Sequence, residues 1–550
     1  MEKLILQLKE LIKDTATTSV AARSSVKHDG SVFEITPDAV VEPQDSSDVK
    51  NIVKFITANK SSHPKLALTP RGAGTDMTGA AVGSSIILDT TKMSDIKSFS
   101  GRLVRASPGA RLYDIHRMIG AHSLTIGSSP SSRDIATLGG MVANNSAGEM
   151  SYIHGPTSNW VKSLKVVLAD GKEYTVKPLT KPELDRKIAE QTYESKLYAH
   201  LFSILDRNYD IIQNARPFST RNSSGYNLWD VWSKEDKRFD LTKLFVGSQG
   251  TLGVITEITI EAVKKSLHEA SLIVEVPAIK SLDKALSIIK SHKPTSIEGF
   301  TGFGFMSSLR SNKALYKNLG VGEYTKQQIQ LAKPLLSGGR SSSYITLFVS
   351  VGADTGAELN KIIAKLYVEL TNEKLKVDVL LEDSSGSPLR RTRNSTLALI
   401  QDQIKTRHAS PFVDDMAVHP SKIASFLPKL QKLLKKHKFP ATIHGHFGDG
   451  IFHILPIDAS NKFRQKSHLE ALMRDVVNLV LSYEGTLSGE HGDGMIRGPW
   501  LRAQFNDEIY GIFKDVKELF DPMYIFNPHK KTDASWEYSM DHLKNSSKLK

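Results

Sequence analysis

Cysteine is absent from all 550 positions. That excludes disulfides, cysteine-ligated iron–sulfur clusters, thiol catalysis and cysteine-type zinc sites. No apolar run approaches the roughly 20 residues that a membrane-spanning helix needs. There is no internal repeat and no long low-complexity segment. The net charge is +13, but the basic residues are dispersed. They lack the long basic block with interleaved aromatics that marks a nucleic-acid binder, so no nucleic-acid partner is expected. An anionic substrate, an anionic cofactor or peripheral contact with acidic lipid would account for the charge instead. The absence of cysteine is compatible with the cytoplasm, and the charge with the inner face of a membrane.

What remains is an ordinary globular composition, 40% hydrophobic and 24% charged. The length allows two or more cores, because a single core stops growing at about 250–300 residues. The first residues, Met1–Ile12, are charged and periodic rather than leader-like. Leu4, Leu8, Leu11 and Ile12 predict one apolar helix face docked on the core.

Glycine is concentrated in three segments. The first, Pro70–Gly83 (PRGAGTDMTGAAVG), lies between short predicted strands at Leu66–Thr69 and Ile86–Asp89. A helix is expected before it, from Ser46 or Ser47 to Ala58, capped by Asp48 and the serines. Strand, glycine loop and strand form a phosphate-cradle pattern, because converging backbone N–H groups can meet an anion where no Cβ intervenes. No Gly-Lys-Ser/Thr closes the loop and no helix opens from it, so it is neither a Walker loop nor a Rossmann fingerprint. The second segment runs from Gly127 to Glu149 and is dominated by small residues. It buries too little side chain for a normal core helix and suits a backbone surface moulded to a flat, phosphate-bearing ligand. A strand at Val161–Leu168 follows, with a hairpin turn at Ala169–Lys172.

Residues 175–245 read as polar and helical, with an irregular excursion at Arg221–Tyr226. The third glycine segment is Phe245–Thr256 (FVGSQGTLGVIT). After Glu261 strands alternate with helices, which predicts an antiparallel sheet with helices on one side and a domain boundary near residue 263. The tail from Thr532 is polar and is expected to fray.

The stretch His444–His453 (HGHFGDGIFH) holds three histidines, one aspartate and three glycines. Its glycines allow a tight turn and its apolar end reads as a buried strand. His446 before the turn and His453 after it can aim two imidazoles at one point. Imidazole suits Zn²⁺, Fe or Mn²⁺, and a further ligand must come from elsewhere. Ser488–Gly494 (SGEHGDG) could supply it.

In this order the motifs PRGAGTDMTG, ATLGGMVANNSAGE, FVGSQGTLGVIT, GHFGDGIFH, SGEHGDG and FDPMYIFNPHK resemble the FAD-linked oxidases of the vanillyl-alcohol oxidase/p-cresol methylhydroxylase (PCMH) type. Within them the D-2-hydroxy acid dehydrogenase branch is the nearest likeness, over about residues 20–531. The resemblance implies an α+β fold. A two-part PCMH-type FAD-binding domain spans 1–263, and a substrate or cap domain with an antiparallel sheet, helices and the metal site spans 264–494. A segment closing on the flavin spans 495–531, and the polar tail 532–550.

The resemblance also implies roles for residues. Arg71, Gly72, Ala73, Gly74, Thr75 and Asp76 would meet the FAD pyrophosphate. Pro130, Ser131, Thr137, Gly139, Gly140, Asn144 and Ser146 would line the flavin and ribityl chain. Gly250, Gly253 and Ile255 would touch the adenosine half, and Asn527 and Lys530 would lie near the isoalloxazine. Thr75 stands where some members carry a flavin-linking histidine, so FAD is expected to be non-covalent; His154 is the residue that could upset this.

His446, His453 and Glu490 map onto the family's divalent-metal ligands, with zinc first and iron or manganese as alternatives. His491 maps onto its catalytic base. Arg393, then Arg391, fall in the region that grips the substrate carboxylate.

The activity implied is oxidation of a small anionic D-2-hydroxy acid to the 2-oxo acid. Electrons would pass to an external acceptor: a quinone, a cytochrome, an electron-transfer protein or an iron–sulfur subunit. Val413 and Leu455 stand where dicarboxylate-specific members carry polar residues, which points to D-lactate or another monocarboxylate. Alternatives are the flavin subunit of a glycolate- or lactate-oxidising complex, and a non-catalytic FAD-binding electron-transfer module. His444 is expected to be a second partner to the ligands or a plain strand residue, and Asp449 to shape the turn.

Overall fold

The computed structural model describes residues 2–12, 15–301, 345–381, 412–439, 441–456 and 466–544. Arg391, Arg393 and the rest of 382–411 lie outside them.

The N-terminal part is built on two sheets. In the smaller, Leu68–Arg71 and Ala39–Val41 lie parallel on either side of Ile86–Asp89, with Ala16–Thr17 at the edge. These strands are short, and their apolar residues, such as Val40 and Ile87 on one face and Val41 and Leu88 on the other, pack into cores on both sides. One face is covered by Ser46–Asn59, whose buried Val49, Ile52, Val53 and Ile56 follow helical spacing. Its cap is Asp45 rather than Asp48, the Asp45 carboxylate accepting from the amides of Ser47 and Asp48. Helix Glu2–Leu11 docks on the same core. It buries Leu4, Ile5 and Leu8, with Ile12 just beyond, whereas Leu11 is exposed, so the predicted stripe is rotated.

The second sheet has five antiparallel strands with Val254–Glu261 at its centre, directly after the third glycine segment. The second glycine segment does contain a helix, Leu138–Asn144, two turns long and capped by Thr137. Its two glycines keep its surface thin.

Val263–Lys264 leads into His268–Val276, the first strand in chain order of a seven-stranded antiparallel sheet. In spatial order its strands are Lys376–Leu381, His268–Val276, Ile345–Ala353, Ser296–Thr301, Ala441–Gly445, Ile451–Pro456 and Met416–Ala417. Ile345, Leu347, Val349, Val351 and Ala353 point into one core at a period of two. Helices Leu282–Ser291, Gly356–Asn372 and Ile423–Lys436 cover that face.

The chain then returns to the N-terminal part. The helical run Leu501–Phe520, broken at Asn506, buries Phe505, Phe513 and Phe520 in the core of the five-stranded sheet. The Leu68 amide donates to the Ile525 carbonyl and the Asn527 amide to the Leu68 carbonyl, which ties the closing segment to the first glycine loop's strand. The tail does not fray where expected: Trp536–Asp541 is a helix, Met540 and Leu543 are buried, and Lys544 pairs with Val32. The apolar Trp536, Met540 and Leu543 give this polar stretch a face to dock.

Candidate active site

The three glycine segments meet along one cleft. Arg71–Asp76, Pro130, Thr137, Gly139, Gly140, Asn144, Ser146, Gly250, Gly253 and Ile255 line it. Ser131 does not, its neighbour Ser132 taking the place. Asn527 and Lys530 do not line it either. Asn527 is fully buried, and its Nδ2 donates to the carbonyls of Ala80 and Gln249, 2.9 and 2.7 Å away, stapling two cleft loops from behind. Burial lowers the Lys530 ammonium to about 8.

Arg71 is a lining residue whose guanidinium turns inward, donating to the carbonyls of Ala81 and His28 at 3.0 Å. Asp76 accepts from the amides of Thr78 and Ala80 and from Asn144 Nδ2, so its carboxylate holds the loop. The amides of residues 72–76 have no acceptor among the described residues. A run of free N–H groups at a glycine turn fits a pyrophosphate. A Cβ at Gly74, where φ is +69°, would collide with the pinned Arg71 guanidinium, and one at Gly72 with Thr137 Oγ1. Gly74→Val is therefore expected to weaken FAD binding by about 10–100-fold, measured by flavin titration of the apoprotein. His154 packs against Gly127 and Trp160 and does not line the cleft.

A second site lies one residue layer away. Gln249 lines the cleft, and its Nε2 reaches the His491 carbonyl at 3.3 Å while its Oε1 accepts from Asp493 and Gly494. The hairpin Ala441–Gly445 to Ile451–Pro456 carries His446 and His453 as expected, and places His444 directly opposite His453. Glu490 Oε1 is 3.3 Å from His446 Nε2, 3.3 Å from His453 Nε2 and 3.6 Å from His491 Nε2. The other ring nitrogens face carboxylates. His446 Nδ1 is 2.8 Å from Glu298 Oε1, and His453 Nδ1 is 3.2 Å from Asp414 Oδ1. His491 Nδ1 is 3.1 Å from Asp414 Oδ2, off the line of a full hydrogen bond. Glu490 Oε2 is buried without a partner among the described residues.

The electrostatics follow from this packing. Burial alone would lower the histidines, but Glu298 and Glu490 raise His446 well above its usual range. Asp414 and Glu490 likewise raise His453 to about 10. Burial also opposes the charge on Glu490 and Asp414, yet the surrounding histidines hold both well below the carboxylate range. His444 is pushed down to about 3 by burial and then by His453, and its ring stacks on Phe300, so it is a neutral strand residue behind the site.

With the imidazoles neutral, Glu298, Asp414, Asp415 and Glu490 gather four negative charges, which a divalent cation would compensate. The orphaned Glu490 oxygen and the facing Nε2 atoms fit such an ion. Asp415, His453, Glu490 and His491 also offer ligand atoms within 4.8 Å of one another. The Asp415 carboxylate, however, is occupied: it accepts from Ser488 Oγ at 2.6 Å and from the amides of Glu490 and His491. His446 is the better third donor.

Four partners of this site were missed in the sequence: Glu298, Asp414, Asp415 and Arg221. Two adjacent aspartates, Asp414 and Asp415, are the signal that could have found that pair. Glu298 gave no signal, lying in an ordinary strand 148 positions before His446. The Arg221–Tyr226 excursion straps both loops. Arg221 pairs with Asp449 at 3.3 Å, both buried, while the Ser223 amide donates to the Ser488 carbonyl. Asp449 thus shapes the turn. Val413 is buried in the cap core, so its substitution does not argue for a less polar pocket.

Two family models match the chain. One, described as FAD binding domain, matches residues 37–177; the other, FAD linked oxidases, C-terminal domain, matches 266–531. The chain is 25% identical over 526 residues to a D-2-hydroxyglutarate dehydrogenase of Pantoea ananatis, covering 94% of this chain and 50% of that protein. It is 25% identical over 496 residues to a D-lactate dehydrogenase of Archaeoglobus fulgidus, covering 89% and 90%. The chain thus spans about half the length of the first relative and most of the second. A solved p-cresol methylhydroxylase with substrate bound superposes with a TM-score of 0.66 over 98% of this chain and 97% of that one, at 13% identity, a likeness of fold. Among the described residues no helix is long and apolar enough to cross a membrane.

Proposed function

This chain belongs to the FAD-linked oxidases, and from that premise we propose that it is an FAD-dependent, metal-assisted dehydrogenase converting a D-2-hydroxy acid to the 2-oxo acid. The observation that carries this reading is the convergence of three imidazole Nε2 atoms on Glu490, joined through Gln249 to a glycine-lined cleft.

Oxidation of an α-hydroxy acid removes a hydride from Cα and a proton from the hydroxyl. When bound, FAD would accept the hydride, and a divalent metal would make the hydroxyl acidic enough to ionise near neutral pH. His446, His453 and Glu490 would hold the metal. His491, with Nδ1 turned to Asp414, keeps Nε2 free to accept the hydroxyl proton. The amides of 72–76 would hold the pyrophosphate. Electrons would leave to an external acceptor. Arg393 and Arg391 remain proposed for the substrate carboxylate.

D-lactate is the substrate proposed from the sequence, and D-2-hydroxyglutarate is the second reading, favoured by the Pantoea relative's name. Anaerobic mixing with the D and L forms of both acids decides between them. The flavin is expected to bleach with a D-acid and not with its L-enantiomer. Protein that binds no FAD, or is reduced by neither D-acid, would sink the reading.

A further inference from the structure

We propose that Asp414 is a shared positioning residue: one carboxylate that decides which ring nitrogen both His453 and His491 present to the reacting site. The proposal rests on the metal-assisted reading above and goes beyond it.

Asp414 is buried, with 5% of its side chain exposed. Its Oδ1 accepts from His453 Nδ1 at 3.2 Å and from the Ile454 amide at 3.1 Å. Its Oδ2 lies 3.1 Å from His491 Nδ1, off the line of a full hydrogen bond, so it acts on that ring through its charge, with Asp415 Oδ2 farther off at 3.9 Å. The two rings stand nearly parallel, centroids 5.1 Å apart, and address one carboxylate side by side. The backbone that carries this carboxylate is fixed from behind. The Asp414 carbonyl accepts from Arg497 Nη2 at 2.7 Å, and Arg497 is 1% exposed.

A neutral imidazole carries one N–H, and its position is set by whatever the other nitrogen meets. An acceptor at Nδ1 keeps the hydrogen there and leaves the lone pair on Nε2. Both lone pairs then face the Glu490 side, where His453 needs one to ligate and His491 needs one to take a proton. Glu298 does the same for His446 alone. Asp414 differs in serving a ligand and the base at once, so ligation and proton transfer share one support.

An amide at this position would offer one acceptor and one donor. The ring that meets the donor must move its hydrogen to Nε2. Asp414→Asn should therefore spoil one of the two functions while preserving shape and the Ile454 contact.

The test uses FAD-loaded protein with Zn²⁺ as the probe. In ¹⁵N spectra of histidine-labelled, Zn²⁺-loaded wild type, His453 and His491 should both carry hydrogen at Nδ1. In Asp414→Asn one of them should switch to Nε2. Alongside that, either Zn²⁺ affinity by chelator competition falls about 10–100-fold, or single-turnover flavin reduction at saturating Zn²⁺ falls by a similar factor. A side chain that only packs would not move the tautomers. An Nε2–H on either ring in wild type overturns the proposal even if the variant fails to fold. So does an Asn variant whose tautomers, affinity and rate stay within about threefold of wild type. A wild type that binds no divalent ion overturns the underlying reading, a distinct result.

Discussion

Glu490→Gln is expected to leave a folded, yellow protein whose flavin is no longer reduced by substrate, the rate falling by about three orders of magnitude. Glu490 Oε1 is the carboxylate oxygen on which three Nε2 atoms converge. The amide removes the charge that draws a cation, and its NH₂ can face the imidazoles as a donor. The several kcal/mol that a metal contributes to ionising the hydroxyl would go with it. The backbone around Glu490 is held independently, because its own amide donates to Asp415. Loss of FAD is therefore not expected. Stopped-flow reduction with a D-2-hydroxy acid, with bound metal measured in parallel, checks the result. A variant reduced within about tenfold of the wild-type rate, metal absent, would remove the metal from the mechanism.

Lys531→Met is expected to cost about 3–5 kcal/mol of stability, read from denaturant unfolding of the FAD-loaded protein. The Lys531 and Asp493 side chains are both fully buried, with Nζ 2.7 Å from Oδ2. Nζ also donates to the Gly225 carbonyl at 2.8 Å, and the same Asp493 oxygen accepts from the Gly225 amide. This pair locks the closing segment to the SGEHGDG loop and to the Arg221–Tyr226 strap. Removing the ammonium strands a buried carboxylate, which accounts for most of the loss. Adding Asp493→Asn should recover part of it, because the stranded charge disappears. A single variant within about 1 kcal/mol of wild type would mean that Asp493 is compensated by other groups.

The glycine loops were legible in the sequence because their requirement is local. A backbone that must approach an anion cannot carry a Cβ, and the composition records that directly. The cap sheet was legible because Ile345–Ala353 alternates at the period of its own pleat. The tail misled because it is polar on average while three apolar side chains anchor it. Leu11 misled because helical spacing fixes a stripe but not which edge of it meets the core.

At the candidate site, residue types and their order were enough to read the donor chemistry: imidazoles on a glycine turn, and a carboxylate beside a histidine in a second loop. They could not determine which nitrogen each imidazole offers. A ring's tautomer depends on the acceptor at its other nitrogen, and those acceptors are Glu298, in a strand 148 positions from His446, and Asp414, in a loop 39 positions from His453. Nor could they separate Asp415, whose carboxylate is consumed by loop amides, from the adjacent aspartate poised between two histidines. The packing of the folded chain separates the two. Hydrogen bonds and charge depend on distance in space, whereas sequence order fixes the identity of a group and its nearest few neighbours.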